Sequence, residues 1–201
     1  MRRELAALIS ALACTITTPA CSGSAELSRS KATQLIRSSG DFKQHFWTID
    51  FCFGSCLMVP SQAKIIETLE SLGYLQVQPH PWFSTARRLS LTEKGDATFK
   101  NLPVMEQGAE WTIVKVRLWQ AELLDITGIL KERPNASKAD FTWRWSNPTS
   151  IANILVKAGV NEVTPQGTHE GTARFTLYDD GWRVTGIYFS PYPTGIKSRN
   201  R

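Results

Sequence analysis

The stretch GTARFTLYDDGWRVTGIY, which runs from residue 171 to 188, indicates most directly how this chain folds. Apolar and polar residues alternate on both sides of the DDG segment at 179–181, which is typical of strands with one buried face. An Asp-Gly pair between two such runs favours a tight hairpin turn. The stretch therefore predicts antiparallel strands over 171–178 and 182–188. The turn also accounts for the two adjacent aspartates, which would not converge as a catalytic acid pair.

The segments before this hairpin extend the same pattern. Alternating runs predict further strands over 112–118, 123–130 and 140–145, with Gly128 as a bulge in the second. One helix interrupts them over 151–158, with Ser150 as its N-cap and Gly159 at its end. Residues 111–190 are thus predicted to form an antiparallel α+β unit, which resembles cystatin-like or nuclear-transport-factor-like folds in outline.

The tryptophans of this second half are the candidate ligand-binding residues. The alternation over 140–145 puts Trp143 and Trp145 on one face of a strand, and Trp182 begins the last strand. Together the three could build an aromatic groove for a sugar, a peptide or a lipid. The alternative is that they fill the core of a small sheet domain, as large aromatic residues usually do.

The first half contains two predicted helices followed by a hairpin. Apolar residues at helical spacing predict helices over 27–37 and 61–72, with Ser28 or Ser30 capping the first. Two strand-like arms follow, and Thr92 can cap a further helical turn. The phrases LESLGY at 69–74 and LTEKG at 91–95 resemble a winged-helix domain of bacterial transcription regulators. That resemblance implies a winged-helix-like unit over 27–100, with a linker over 101–110.

The charges of this winged-helix-like unit argue against DNA binding. The helix that would enter the groove has Lys64 against Glu67 and Glu70, whereas DNA binding neutralises phosphates with cations. Arg87 and Arg88 are the only concentrated basic feature of the hairpin. We therefore expect a scaffold and no nucleic-acid partner. The runner-up is a cytoplasmic winged-helix DNA-binding regulator with a ligand-sensing C-terminal domain.

The first residues predict export. A basic end, an apolar stretch too short to span a membrane and a small-residue exit form an export signal over 1–20. Cys21 after Ala20 resembles the lipobox of bacterial lipoproteins, although that family usually has Leu where Thr18 stands. The resemblance implies acylation of Cys21, a tether over 21–26, and a location in the periplasm or cell envelope. The protein would be held on the outer side of the inner membrane or on the outer membrane. Cys14 is a second processing candidate, and plain secretion or a buried N-terminal helix are the alternatives.

Two cysteines remain after such processing. An even pair in an exported chain indicates a disulfide between Cys52 and Cys56. A continuous strand would hold their α-carbons about 13 Å apart, too far for a bridge. The residues between them, Gly54 and Ser55, must then turn. No metal is expected, because the three histidines lack the spacing of metal ligands.

Composition and charge complete the expectation. The 201 residues are 42% hydrophobic and 20% charged, which excludes collagen, disorder and a polytopic membrane protein. Of the net charge of +5, the export signal holds +1 and the basic tail at 191–201 holds +3. His169 and Glu170 are expected to form a surface pair in a loop. A hydrolase using His169 as general base with a partner carboxylate is the weakest alternative, because no nucleophile phrase accompanies it. We expect a binding or structural envelope protein, not an enzyme, without cofactors, whose partners are membrane lipid and an envelope protein or small ligand.

Overall fold

A computed structural model of the chain describes residues 26–57, 62–82, 86–99, 102 and 104–193, the last three by their backbone alone. The predicted export signal, Cys14 and Cys21 lie outside these residues. So does the basic tail beyond residue 193.

Five helices, one 3₁₀ turn and eight strands make up the described chain. The helices are α1 (Arg29–Ser38), α2 (Gly40–Lys43), α3 (Ala63–Ser71), α4 (Glu93–Phe99) and α5 (Ser150–Lys157), and the 3₁₀ turn is Asn161–Val163. The strands are β1 (Phe46–Leu57), β2 (Leu75–Pro79), β3 (Ala86–Leu91), β4 (Val104–Gln107), β5 (Trp111–Arg133), β6 (Ala136–Ser146), β7 (His169–Tyr178) and β8 (Gly181–Pro193).

The fold is α+β and is built on one large antiparallel sheet. Seven of the eight strands follow the order β2-β3-β1-β5-β6-β7-β8, and the eighth, β4, pairs with β5 outside this path. The predicted hairpin over 171–188 is confirmed as β7 and β8, with Gly181 at a φ of +124° in the turn. The predicted hairpin in the first half is confirmed as β2 and β3. Regular alternation and turn residues were sufficient to identify both.

Strand β5 connects the two halves of the chain. The prediction of separate strands over 112–118 and 123–130 is wrong, because β5 runs without a break for 23 residues. Its first half pairs with β1 and its second half with β6, and Gln120 takes part in both ladders. The predicted bulge is confirmed by a shift of register between Ile126 and Gly128.

Strand β1, which the sequence patterns did not single out, makes this continuity possible. It pairs with β5 from Phe46 to Gly54 and with β3 from Gly54 to Leu57. The first-half hairpin and the second-half strands are therefore parts of one sheet. The predicted linker at 101–110 also contributes to the sheet, because it contains β4.

The apolar side chains form two clusters, and the helices are distributed between them in an unexpected way. The first cluster joins α3 and α5 to β1, β2, β3 and the first half of β5. The second joins α1 and α2 to the second half of β5 and to β6, β7 and β8. Helix α1, from the first half of the chain, thus covers strands of the second half, whereas α5 packs with α3. An apolar stripe requires burial but does not specify which sheet face provides it.

The helix starts follow capping chemistry. The predicted cap of α1 is confirmed, because the Ser28 side chain accepts a hydrogen bond from Lys31 N. Thr92 likewise accepts from Gly95 N at 3.0 Å, at the start of α4. The prediction that Ser150 caps α5 is wrong by one residue. The cap is Thr149, whose hydroxyl also donates to the Arg117 carbonyl on β5, so the cap joins helix to sheet.

Candidate functional site

The three predicted groove tryptophans do not meet in one place. Trp143 and Trp145 lie on β6, with ring centroids 4.8 Å apart in an edge-on contact. Trp143 is opposite His169 at the start of β7, whereas Trp182 on β8 is opposite Leu177. Eight residues of strand separate those two positions on β7, which is about 26 Å. Trp143 and Trp182 are also buried.

Trp143 and Trp145 belong instead to what we call the histidine–aromatic cluster, which consists of His45, Trp143, Trp145, His169 and Phe189. His45 stacks on Phe189, with centroids 3.5 Å apart, and on Trp145 at 5.1 Å. Trp143 stacks on His169 at 4.5 Å. The cluster therefore draws its rings from β6, β7, β8 and the residue before β1.

Backbone pairing positions these rings. The His45 carbonyl accepts a hydrogen bond from Ala121 N, which ties the residue before β1 to β5. The Trp143 indole donates to the Glu170 carbonyl at 3.1 Å, so its polar edge is satisfied within the sheet. The sequence analysis missed His45 and Phe189. No local signal identifies them, because they reach the cluster from opposite ends of the chain.

Burial sets the charge of His45. The side chain is half-buried, and desolvation, followed by the nearby His169, lowers the pKa of His45 below its ordinary value of 6.5. Both causes disfavour the charged imidazolium. The cluster therefore holds His45 in its neutral form at neutral pH.

This lowered pKa predicts a loss of stability in acid. Because the unfolded chain binds a proton to His45 more readily than the folded chain, the free energy of unfolding falls as the pH drops from about 6.5 through the folded pKa. Urea unfolding at pH 7.5 and pH 5 measures the difference, and His45→Phe should reduce it. Titratable groups that do not interact with His45 cancel in the comparison, so the remaining difference belongs to His45 and its coupled neighbour His169. An equal acid loss in the variant would contradict this role of His45.

His169 differs from its sequence interpretation. The expectation that His169 and Glu170 form a surface pair in a loop is wrong, because both lie in β7 and His169 is buried against Trp143. Glu170 is exposed, since successive residues of a strand face opposite sides. His169 and Glu170 therefore do not form an acid–base pair.

The structure joins Cys52 and Cys56 by a disulfide. Their α-carbons are 6.0 Å apart instead of the 13 Å of a straight strand, because β1 bends at Gly54, whose φ is +86°. Gly54 and Ser55, the two residues expected to turn, remain within β1. The bend lies where β1 changes its pairing partner from β5 to β3.

An open groove of about 680 Å³ adjoins the disulfide. Its lining includes Cys56, Leu57, Trp82 and Trp111. Trp82 is 83% exposed.

The described residues contain no group of three His, Cys, Asp or Glu side chains arranged to hold a metal ion. Among the same residues, no helix is long and apolar enough to cross a bilayer. Comparison of the chain with family models, with curated proteins and with solved structures finds no match.

Proposed function

We propose that this protein is an exported, lipid-anchored protein of the cell envelope that acts as a binding or structural component. The observation that carries the proposal is the Cys52–Cys56 disulfide. Disulfides persist in oxidising compartments and are rare in the cytosol. The lipobox-like Cys21 supplies the anchor in this proposal, and no enzymatic step is included.

The position of the first described residues supports one particular orientation of the protein on the membrane. Glu26 and Leu27 line a pocket of about 270 Å³ beside Lys131, Pro134 and Trp182. This is the end of the sheet that carries the β5–β6 and β7–β8 turns. A six-residue tether reaches at most about 20 Å. Acylation of Cys21 would therefore hold these turns near the bilayer.

The last described strand finishes at the opposite end of the sheet. Strand β8 starts at the turn end and continues for 13 residues to Pro193, which pairs with His169. That separation is about 40 Å along the strand. We therefore assign the membrane attachment to the acylated cysteine and not to Lys197, Arg199 or Arg201.

We propose further that the predicted winged-helix-like unit over 27–100, with α3, the β2–β3 hairpin and α4 as its helix and wing elements, serves as a scaffold. The inner face of α3 is buried in the first cluster. On its outer side, Lys64 pairs with Glu162 at 3.5 Å, and Glu70 accepts from Val77 N at 3.3 Å. These contacts and the acidic surface of α3 support a structural role.

Cell fractionation with analysis of the mature N-terminus tests the anchor. The wild-type chain, expressed in bacteria with labelled palmitate, is expected in the membrane fraction, labelled, with Cys21 as its first residue. Cys21→Ser should abolish the label and release the protein, whereas Cys14→Ser, the matched control, should change neither. An unlabelled wild-type chain, or intact Met1 on a cytosolic species, would overturn the proposal.

A further inference from the structure

The outward face of the second-half sheet carries a continuous row of four residues. Gly128, Asp140, Thr172 and Tyr188 stand opposite one another on β5, β6, β7 and β8. We call this row and its immediate neighbours the Tyr188 face. Adjacent strands are about 4.8 Å apart, so the backbones at Asp140 and Tyr188 are separated by about 10 Å. One or two sugar rings would span that distance.

Tyr188 provides an exposed aromatic surface. Its side chain is 56% exposed, although it lies in the middle of a strand. The ring leans over Gly186, where a β-carbon would come within 3.3 Å of ring atoms. The Arg174 guanidinium lies 5.5 Å from the ring centroid. Glycine and arginine together thus hold a large aromatic side chain against the sheet while much of it faces solvent.

Asp140 provides an oriented hydrogen-bond acceptor beside that ring. One carboxylate oxygen accepts from the Thr172 hydroxyl at 2.9 Å and from Lys138 Nζ at 3.1 Å. Desolvation acts to raise the pKa of Asp140, but the bonds from Lys138 and Thr172 outweigh it and hold that pKa below 3.8. The carboxylate is therefore ionised at neutral pH. The second oxygen makes no hydrogen bond to the described residues.

Three residues of the row, Asp140, Thr172 and Tyr188, line a shallow groove of about 500 Å³. Further polar residues line it, namely Thr127, Glu170 and Ser190. Gly128 leaves open space beside Asp140, because a β-carbon there would meet nothing within 4 Å. An exposed aromatic ring next to a few oriented polar groups offers one ligand both an apolar contact and hydrogen bonds.

The charges of the face select the class of ligand. Lys138 and Arg174 are balanced by Asp140 and Glu170, so neither an anion nor a cation is favoured overall. The C–H face of a pyranose ring packs on an aromatic ring, and its hydroxyls both donate to carboxylates and accept from cations. We propose that the Tyr188 face binds a neutral oligosaccharide. This inference rests on the proposed binding role but does not require export.

Calorimetric titration of the purified full-length chain with neutral tetrasaccharides tests the proposal. The probes are maltotetraose, cellotetraose and tetra-N-acetylchitotetraose at millimolar concentration, with an anionic heparin tetrasaccharide for comparison. At least one neutral probe is expected to bind the wild-type protein. Tyr188→Ala and Asp140→Asn should each weaken that binding roughly tenfold or more, because each removes a direct contact.

Tyr178→Ala is the matched control. Tyr178 is also an exposed tyrosine of this sheet, and it lies beneath the guanidinium of Arg183 at 5.0 Å. Its removal should leave the affinity unchanged, and thermal melting establishes that all variants are folded. Failure of every neutral probe, binding of the anionic probe alone, or equal losses in Tyr178→Ala and Tyr188→Ala would overturn the proposal. Because the titration uses purified protein, it can fail while fractionation supports the anchor, and the reverse.

Discussion

Trp143→Ala is expected to lower the free energy of unfolding by about 3–5 kcal/mol, the range for removing a large aromatic side chain from a core. Trp143 is only 2% exposed, and its ring contacts both histidines, Trp145 and Phe189. Its loss would leave a cavity between three strands and would also remove the hydrogen bond to the Glu170 carbonyl. Urea unfolding followed by circular dichroism measures the change.

Trp82→Ala is the control for this prediction. It removes the same side chain from a position that is 83% exposed, so the expected change is within about 0.5 kcal/mol. Similar decreases in the free energy of unfolding in the two variants would contradict the assignment of Trp143 as buried and Trp82 as exposed. A small loss in Trp143→Ala would mean that the histidine–aromatic cluster contributes little to the core.

Gly54→Ala is expected to cost about 2–5 kcal/mol, for two reasons. Its φ of +86° lies in the left-handed region, which costs other residues roughly 1–2 kcal/mol. In addition, a β-carbon would overlap the Glu110 carbonyl oxygen, which accepts a hydrogen bond from Ser55 N. Relieving such a clash typically costs about 1–3 kcal/mol more. Chemical denaturation of the oxidised protein measures the sum.

Two other glycines separate these causes. Gly73 has a φ of +75° but open space around it, so Gly73→Ala should show the backbone cost alone, roughly 1–2 kcal/mol. Gly128 has neither restriction, and Gly128→Ala should change stability by less than about 0.5 kcal/mol. If Gly54→Ala were no worse than Gly73→Ala, the close approach of β1 to Glu110 would not be a significant constraint.

The bend at Gly54 illustrates how far sequence reasoning could go. The spacing of Cys52 and Cys56 was enough to require a departure from a straight strand if the two were bridged. It did not indicate that the bend would lie inside a strand, because that depends on β1 exchanging β5 for β3 as its partner. The sequence feature that could have identified β1 is its content of aromatic and β-branched residues. Alternation could not identify it, because burial does not alternate regularly along β1.

The candidate sites show the same limit. Alternation in β6 assigned Trp143 and Trp145 to one face, and that face is the inner one. The sequence of β6 does not indicate that α1, α2 and His45 cover this inner face. The ring that the outer face exposes beside polar partners is instead Tyr188, and those partners come from β6 and β7. The alternation within a strand predicts which face of the sheet a side chain is on. The elements that bury that face come from distant parts of the chain.

The amino-acid sequence by itself determined the β7–β8 and β2–β3 hairpins, the positions of the main helices and the need for a bend between two cysteines. These features arise from backbone preferences and apolar periodicity within a few neighbouring residues. Only the tertiary structure decided that β5 is continuous, that α1 packs on the second-half strands and α5 on the first-half ones, and that Trp182 lies apart from Trp143 and Trp145. Such outcomes depend on which apolar surfaces meet, and several pairings bury similar area, so the choice lies in contacts distant along the chain.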